Sequence, residues 1–194
     1  MHVRFLTAAI AAISLSLPVA AQKLGGMAAS STRGETRLMA ATEDFSVFTM
    51  ASLTYGQPEW NASYDAMLDK LKGKVNRLGK DWFTTLITMS DLEIGGAKIP
   101  AGSYIVGLHC DKDGKFALAL MDSTTAMKNK VYPGMDFKPE IVCPLTLNKD
   151  SAKDVVQKMT MTFDAKQEDG GKGTFTLAWG KHTLTAPAQI HAPK

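Results

Sequence analysis

The sequence predicts an all-β fold, an antiparallel β-sandwich of jelly-roll type with about eight or nine strands and one short helix. Three observations carry that expectation. From Phe45 to Ile190 the chain is a succession of short runs rich in Val, Ile, Thr, Phe and Tyr. Most of those runs are separated by Gly, Pro, Asn or Asp, the residues that turns require. A single stretch sets its apolar residues at convincing helical spacing.

The first residues, MHVRFLTAAIAAISLSLPVAAQ, put Arg4 ahead of an apolar stretch from Phe5 to Leu17, followed by Pro18 and the small residues Val19 and Ala21. That order is the layout of a cleavable secretory signal over residues 1–21. The apolar stretch is shorter than the roughly 20 residues needed to span a bilayer. No later segment is long and apolar enough either, so the mature chain is expected to have no membrane span and to reside in the periplasm or outside the cell. Residues 22–43, rich in Ala, Ser, Gly and Thr without a sustained period, read as a flexible lead-in with room for one early strand near its end. A single domain over residues 44–190 follows, with no internal repeat.

Within that domain, alternation begins in FSVFTMASLTYGQP and stops at Pro58, which cannot extend a central strand. In NASYDAMLDKLKGK, Tyr64, Met67, Leu68 and Leu71 share one helical face, with Asn61 or Ser63 as N-cap and Gly73 just past the end. A second helical turn fits Ser123–Lys130. Strand patterns then return in WFTTLITMS, DLEIGGAKI, SYIVGLHC and KFALALMD, and again in EIVCPLTL, VVQKMTMTFD, TFTLAWG and HTLTAPA. Gly95-Gly96 supplies the positive φ values of a tight hairpin, Pro100 and Gly102 shape the next turn, and DKDG at 111–114 is a third.

The hairpin also carries a resemblance. LTYGQP at 53–58, DLEIGGAKIPAGSYIVGLH at 91–109, MTMTFD and GTFTLAWGKHTLTAPA occur in the order seen in a bacterial family catalogued as domain of unknown function 2911. Members of that family typically read Y-G-x-P near the start, then I-G-G-x-x-(L/I)-P-A-G-x-Y, then a closing strand that ends in Trp. The resemblance implies an exported, mostly β domain without an assigned activity. Many members also carry a W-R-T-G-A-N-like stretch before the hairpin. Here NRLGKDWFTTLIT matches only its Trp, at Trp82, while Asn76 and Arg77 precede it.

The formal net charge of +3 is spread along the chain without long runs, which gives no electrostatic reason to expect a nucleic acid partner. The only cysteines are Cys110 and Cys143. An even count in an exported chain points to a disulfide between neighbouring strands, and two buried thiols are the alternative.

No motif specifies a reaction. His109 and His182, with Asp111, are the residue types that hold metals or move protons, but no HxH or HExxH spacing assembles them locally. Asp111 and Asp113 lack the remaining ligands of a calcium loop and suit the hairpin turn. EDGGKGTF at 168–175 lacks the Gly-Lys-Ser/Thr and helix of a phosphate loop, so its glycines serve a strand connection. Met159 and Met161 alternate with Thr160 and Thr162; sulfur could serve a soft metal, but core packing explains the same period with no extra assumption. Cys110 and His109, being adjacent in a strand, point to opposite faces and cannot meet as nucleophile and base.

Flat aromatic rings can stack on sugars, and Trp60, beside Pro58 and Glu59 in a loop, is the tryptophan expected to be exposed. Trp82 and Trp179 suit the core of a sandwich. The candidate ligand-binding residues are therefore Trp60, Arg77, Trp82, Tyr104 and His109. The expectation is a non-enzymatic module for a small molecule or glycan, with no cofactor. Alternatives are a metal-assisted or general acid/base hydrolase and a structural envelope component with a protein partner.

Overall fold

The computed structural model describes residues 32–149 and 154–193. The signal expected over residues 1–21 and the first part of the lead-in lie outside the described residues. Among the described residues twelve strands form: β1 Arg33–Ala41, β2 Phe48–Gly56, β3 Lys74–Arg77, β4 Thr84–Thr88, β5 Leu92–Ile94 and β6 Ala97–Ile99, then β7 Gly102–Cys110, β8 Phe116–Asp122, β9 Ile141–Asn148, β10 Val156–Ala165, β11 Lys172–Gly180 and β12 His182–Ile190. They pair along the order β1-β2-β4-β7-β8-β9-β12-β11-β10, with β3 added to β7 and the β5–β6 hairpin to β12. Every strand pairing is antiparallel.

The all-β expectation holds, with more strands than the sequence pattern reveals. β3, β5 and β6 have only 4, 3 and 3 residues, too few for alternation to stand out. β1 is a full strand of 9 residues inside the expected lead-in. Strand β9 joins the two halves of the sheet: Ile141–Leu145 pairs with β8, and Thr146–Asn148 pairs with β12. The sheet thereby curls around one core, in which Leu53, Leu86, Met161 and Phe175 are fully buried. Met159 and Met161 are core residues, as their period suggests.

Curling brings the two end strands, β1 and β10, side by side, and the sheet is nearly closed there. An exposed strand edge is a row of unsatisfied amides. Here side chains satisfy β10 at alternate residues. Thr36 Oγ1 accepts from the Phe163 N–H at 2.9 Å. The Tyr55 hydroxyl accepts from the Met161 N–H at 2.7 Å and donates to the Met161 carbonyl at 3.1 Å. Gln57 Nε2 donates to the Met159 carbonyl at 3.2 Å, and the Met159 N–H reaches the Pro58 carbonyl at 3.0 Å. Tyr55 crosses β1 to do this because its register partner is Gly34. A Cβ at position 34 would lie 2.5 Å from the Tyr55 ring.

The turns follow the sequence. Gly95 and Gly96 have φ of 61° and 80°, as a tight hairpin needs. In DKDG, Gly114 has φ of 84° and the Asp111 carboxylate accepts the Lys115 N–H at 2.8 Å. Gly170 and Gly171 connect β10 to β11 with φ of 59° and 82°. The segment after Asn61 is helical and Asn61 is its cap, accepting the Ser63 N–H at 2.9 Å, but it winds as a 3-10 helix, Ala62–Leu71, instead of an α-helix. None of its residues is buried, so it lies as a strap on the surface. The second helical turn forms as α1, Ser123–Asn129.

β8 lacks alternation because both its faces are covered: every residue from Phe116 to Met121 is buried. Its inner face meets the main core. On the outer face, Ala119 and Met121 pack with Ile105, Ala126 of α1 and Phe137 in a second small core.

The expected disulfide does not form: Cys110 and Cys143 are free, and both are buried. Cys110 pairs in register with Phe116 of β8, and Cys143 with Leu118 on the other side of β8. An intervening strand sets backbones about 10 Å apart, beyond the roughly 7 Å that a disulfide can bridge. Burial pushes both thiols up, that of Cys143 to about 12.

Two outcomes follow from this packing. Tyr55→Phe strands the Met161 amide and carbonyl, and is expected to cost about 1–3 kcal/mol in urea unfolding, which lowers the melting temperature by about 2–4 °C per kcal/mol in a chain of this size. A thiol reagent at pH 8 is expected to label neither cysteine in the native protein and both in denaturant without reductant. No labelling in denaturant would indicate a bridge after all.

Candidate functional site

At the end of the curled sheet where β2 leads into Gln57–Trp60 and β12 begins, the core does not fill its space. A cavity of about 250 Å³ remains there. Its walls are Leu108 of β7, Phe116 of β8, Leu147 of β9, Met159 of β10, Leu177 and Trp179 of β11, and Leu184 of β12. The 3-10 helix covers it with Tyr64, Met67, Leu68 and Leu71. Those are all four of the residues whose spacing predicts a helical face, and the cavity is what that face serves. The opposite end of the sheet is plugged by a polar group instead: Thr49 and Ser90 share a hydrogen bond at 2.6 Å, and Thr88 Oγ1 donates to the Ser90 carbonyl at 2.7 Å.

An aromatic cluster forms one side of the cavity. The Trp60 ring stands edge-on to Trp179, with centroids 5.1 Å apart, and to Tyr64 at 5.8 Å. The backbone fixes both indoles. The Trp60 N–H donates to the Gln157 carbonyl at 2.6 Å, and Trp179 Nε1 donates to the Pro58 carbonyl at 3.1 Å. Gly180 makes the arrangement feasible: it has φ of 63°, and a Cβ there would lie 2.5 Å from the Trp60 ring.

Three polar side chains also line the cavity, Asn76, Arg77 and His182. Asn76 Nδ2 donates to the Leu71 carbonyl at 2.9 Å, tying β3 to the end of the 3-10 helix. The Arg77 guanidinium is held by the Asp81 carbonyl. His182 Nε2 lies 2.8 Å from Asp65 Oδ1, so the first residue of β12 grips the strap across the cavity. The site is thus an apolar pocket edged by a cation and an imidazole–carboxylate pair.

Of the candidate ligand-binding and metal-site residues read from sequence, Trp60, Arg77 and His182 meet at this cavity. The others do not. Trp82 is 63 % exposed, its ring against Phe83, and it does not plug a core. Trp60, expected to be the exposed tryptophan, is half-buried. Tyr104 is buried, its hydroxyl donates to the Pro100 carbonyl at 2.8 Å, and burial raises its pKa. That bond closes the Pro100–Gly102 turn, so Tyr104 is a scaffold residue. His109 follows Leu108 in β7, so the alternation that turns Leu108 into the cavity turns His109 away from it. Asp111 is engaged by its own turn. His109, His182 and Asp111 therefore do not converge, and among the described residues no group of three His, Cys, Asp or Glu side chains is placed to hold a metal.

A larger cleft of about 710 Å³ lies between the β1–β2 loop and the β10–β11 turn. Its lining is the ends of β1 and β2, with Met39 and Phe48, and the turn residues between them and after β10, such as Glu43, Phe45 and Lys166. It has neither the core walls nor the fixed aromatic rings of the smaller cavity, which is the better candidate.

The model of a family described as a protein of unknown function, DUF2911, matches residues 40–188. The chain belongs to the DUF2911 family. No curated protein and no solved structure matches it. The DUF2911 match takes in every residue that lines the cavity and Tyr55 of the seam, whereas Gly34 and Thr36 lie before it. Sequence reading of this DUF2911 chain misses Asp65, because its partner His182 is 117 residues away and no local pattern marks the pair.

Gly180→Ala tests how the site is held. The left-handed conformation and the Trp60 ring both oppose a methyl group there, so a loss of more than about 1 kcal/mol is expected in urea unfolding. A shift in tryptophan emission should accompany it. Unchanged stability and emission would mean that Trp60 is not seated on Gly180.

Proposed function

We propose that this protein is an exported, non-enzymatic binding module that takes a small, mainly apolar molecule into the cavity beneath the 3-10 helix. The observation that carries this reading is the cavity itself: about 250 Å³ walled by leucines, Phe116, Met159 and two tryptophans, with polar side chains few and grouped. Binding sites for small molecules have this composition, and the volume lies just under the roughly 300–1,000 Å³ of drug-sized sites. The ligand is accordingly smaller than a drug and contains an apolar ring or short chain. A glycan fits less well, since stacking needs an open ring face and Trp60 has Tyr64, Trp179, His182 and Gly180 packed around it. Export is supported by the basic, apolar and small-residue order of residues 1–21.

A second reading, a general acid/base hydrolase, draws support from His182 and Asp65 at 2.8 Å on the same cavity. A carboxylate that orients an imidazole is how many hydrolases prepare a base. In this reading His182, one of the two candidate histidines read from sequence, is the base and Asp65 the carboxylate that orients it.

The test is a titration of the purified protein with indole, benzoate, octanoate and glucose, followed by tryptophan emission and melting temperature. Apolar probes are expected to change the emission of Trp60 and Trp179 and to raise the melting temperature by mass action, equivalent to about 2.7 kcal/mol at 100 times Kd. Leu177→Phe, which fills the space, is expected to abolish both effects. An effect of glucose alone would return the site to glycans, and no effect of any probe would overturn the apolar reading. Hydrolysis of simple aryl esters that is lost in His182→Ala, with probe binding retained, would favour the enzyme.

A further inference from the structure

The outer face of the sheet carries a row of methionines that the cavity does not use. Met39 of β1 is the register partner of Met50 of β2. On the other side of β2, Ala51 pairs with Thr88 of β4, and the N–H of the next residue, Met89, donates to the Met50 carbonyl at 2.9 Å. The three residues therefore stand side by side across three adjacent strands. Alternation turns them outward: their neighbours Leu38, Thr49, Ala51, Thr88 and Ser90 are all buried. Met39 is 54 % exposed and Met89 is 55 % exposed, so packing does not account for their side chains.

We infer that Met39, Met50 and Met89 form a surface site for a soft univalent metal ion, copper(I) or silver(I), bound by three thioether sulfurs. Thioethers are soft donors that favour copper(I) over zinc or hard divalent ions. The spacing is suitable. The outer two backbones of three adjacent strands stand about 10 Å apart, and metal–sulfur bonds of about 2.3 Å need sulfurs only about 4 Å from each other. Three rotatable bonds in each unbranched side chain let the outer pair lean over the central one. Thiols do not compete, because Cys110 and Cys143 are both buried in the core. The row also contains no carboxylate or imidazole; the adjacent outward positions are Arg37, Ser52 and Ile87 on one side and Ala41 and Phe48 on the other.

The site is independent of the cavity, and so is its test. The purified protein is titrated with silver nitrate in chloride-free buffer, and the methionine methyl resonances are followed by NMR. One silver ion per chain is expected, with the methyl signals of Met39, Met50 and Met89 moving together. Met67, Met127 and Met135, exposed on the 3-10 helix, α1 and the loop beyond it, serve as controls and are expected to stay in place. The triple variant Met39→Leu, Met50→Leu, Met89→Leu keeps the apolar surface and removes the sulfur. It is expected to retain the melting temperature of the parent and to lose at least ten-fold in affinity for silver and for copper(I) supplied as its acetonitrile complex. Equal affinity in the triple variant, or silver shifts confined to the control methionines, would overturn the assignment and leave the row as an apolar contact face.

Discussion

The Tyr55 hydroxyl carries the closure of the sheet. A curled antiparallel sheet that stops short of a full ladder leaves one strand with its amides exposed, and β10 is that strand. Tyr55 both accepts and donates at Met161, while Thr36 and Gln57 serve the residues two positions away on either side. The partners are side chains spaced like a strand, so the edge is satisfied without a continuous backbone ladder. This arrangement dictates other residues in turn. Gly34 has to lack a side chain for the Tyr55 ring to pass, and the backbone after β2 has to continue along β10 as far as Trp60.

That continuation is what creates the site. Having paired with β10, the chain turns at Trp60 into the 3-10 helix and is laid across the open end of the sheet. Trp60 is seated on Gly180 and the strap is gripped through Asp65 by His182, so the turn from β11 to β12 fixes the cover at two points. The other end of the sheet is sealed by Thr49, Thr88 and Ser90: the Thr49 and Ser90 hydroxyls bond each other, and the Thr88 hydroxyl donates to the Ser90 carbonyl. One end is thus filled and polar, and the other holds an apolar space with charged groups beside it. The seam and the cavity are two results of the same path of the chain between Gly56 and Leu71.

Much of the fold was legible in the sequence because it is encoded locally. Gly95-Gly96 and DKDG declare their turns through backbone conformations that few other residues adopt, and Asn61 declares the start of a helix by its side chain. The unbroken apolar run of β8 is a local sign of burial on two faces. What escapes sequence reading depends on partners far away in the chain. Tyr55 and Met161 are 106 residues apart, and Asp65 and His182 are 117 apart. Trp60 and Trp82 exchanged their expected exposures because a distant glycine, Gly180, makes room for the first, and no element covers the second. The cysteine count suggested a bridge, but strand order, which the sequence does not display, sets β8 between the two thiols. The methionine row is likewise invisible until β1, β2 and β4 are placed in register.

The two-sided burial of β8 has a consequence for the order of folding. β7 and β8 are joined by the short DKDGK turn, so their pairing closes a small loop at little entropic cost, and the outer face of the hairpin gains apolar cover from α1 and Phe137 close by in the chain. Closing the seam instead requires Tyr55 to find Met161 across most of the domain. Contacts of short sequence separation form fastest, and those of long separation come last. The hairpin with α1 is therefore the natural nucleus, and the seam the final step. The cavity, whose cover hangs from that seam, is completed only when the rest of the molecule is already built.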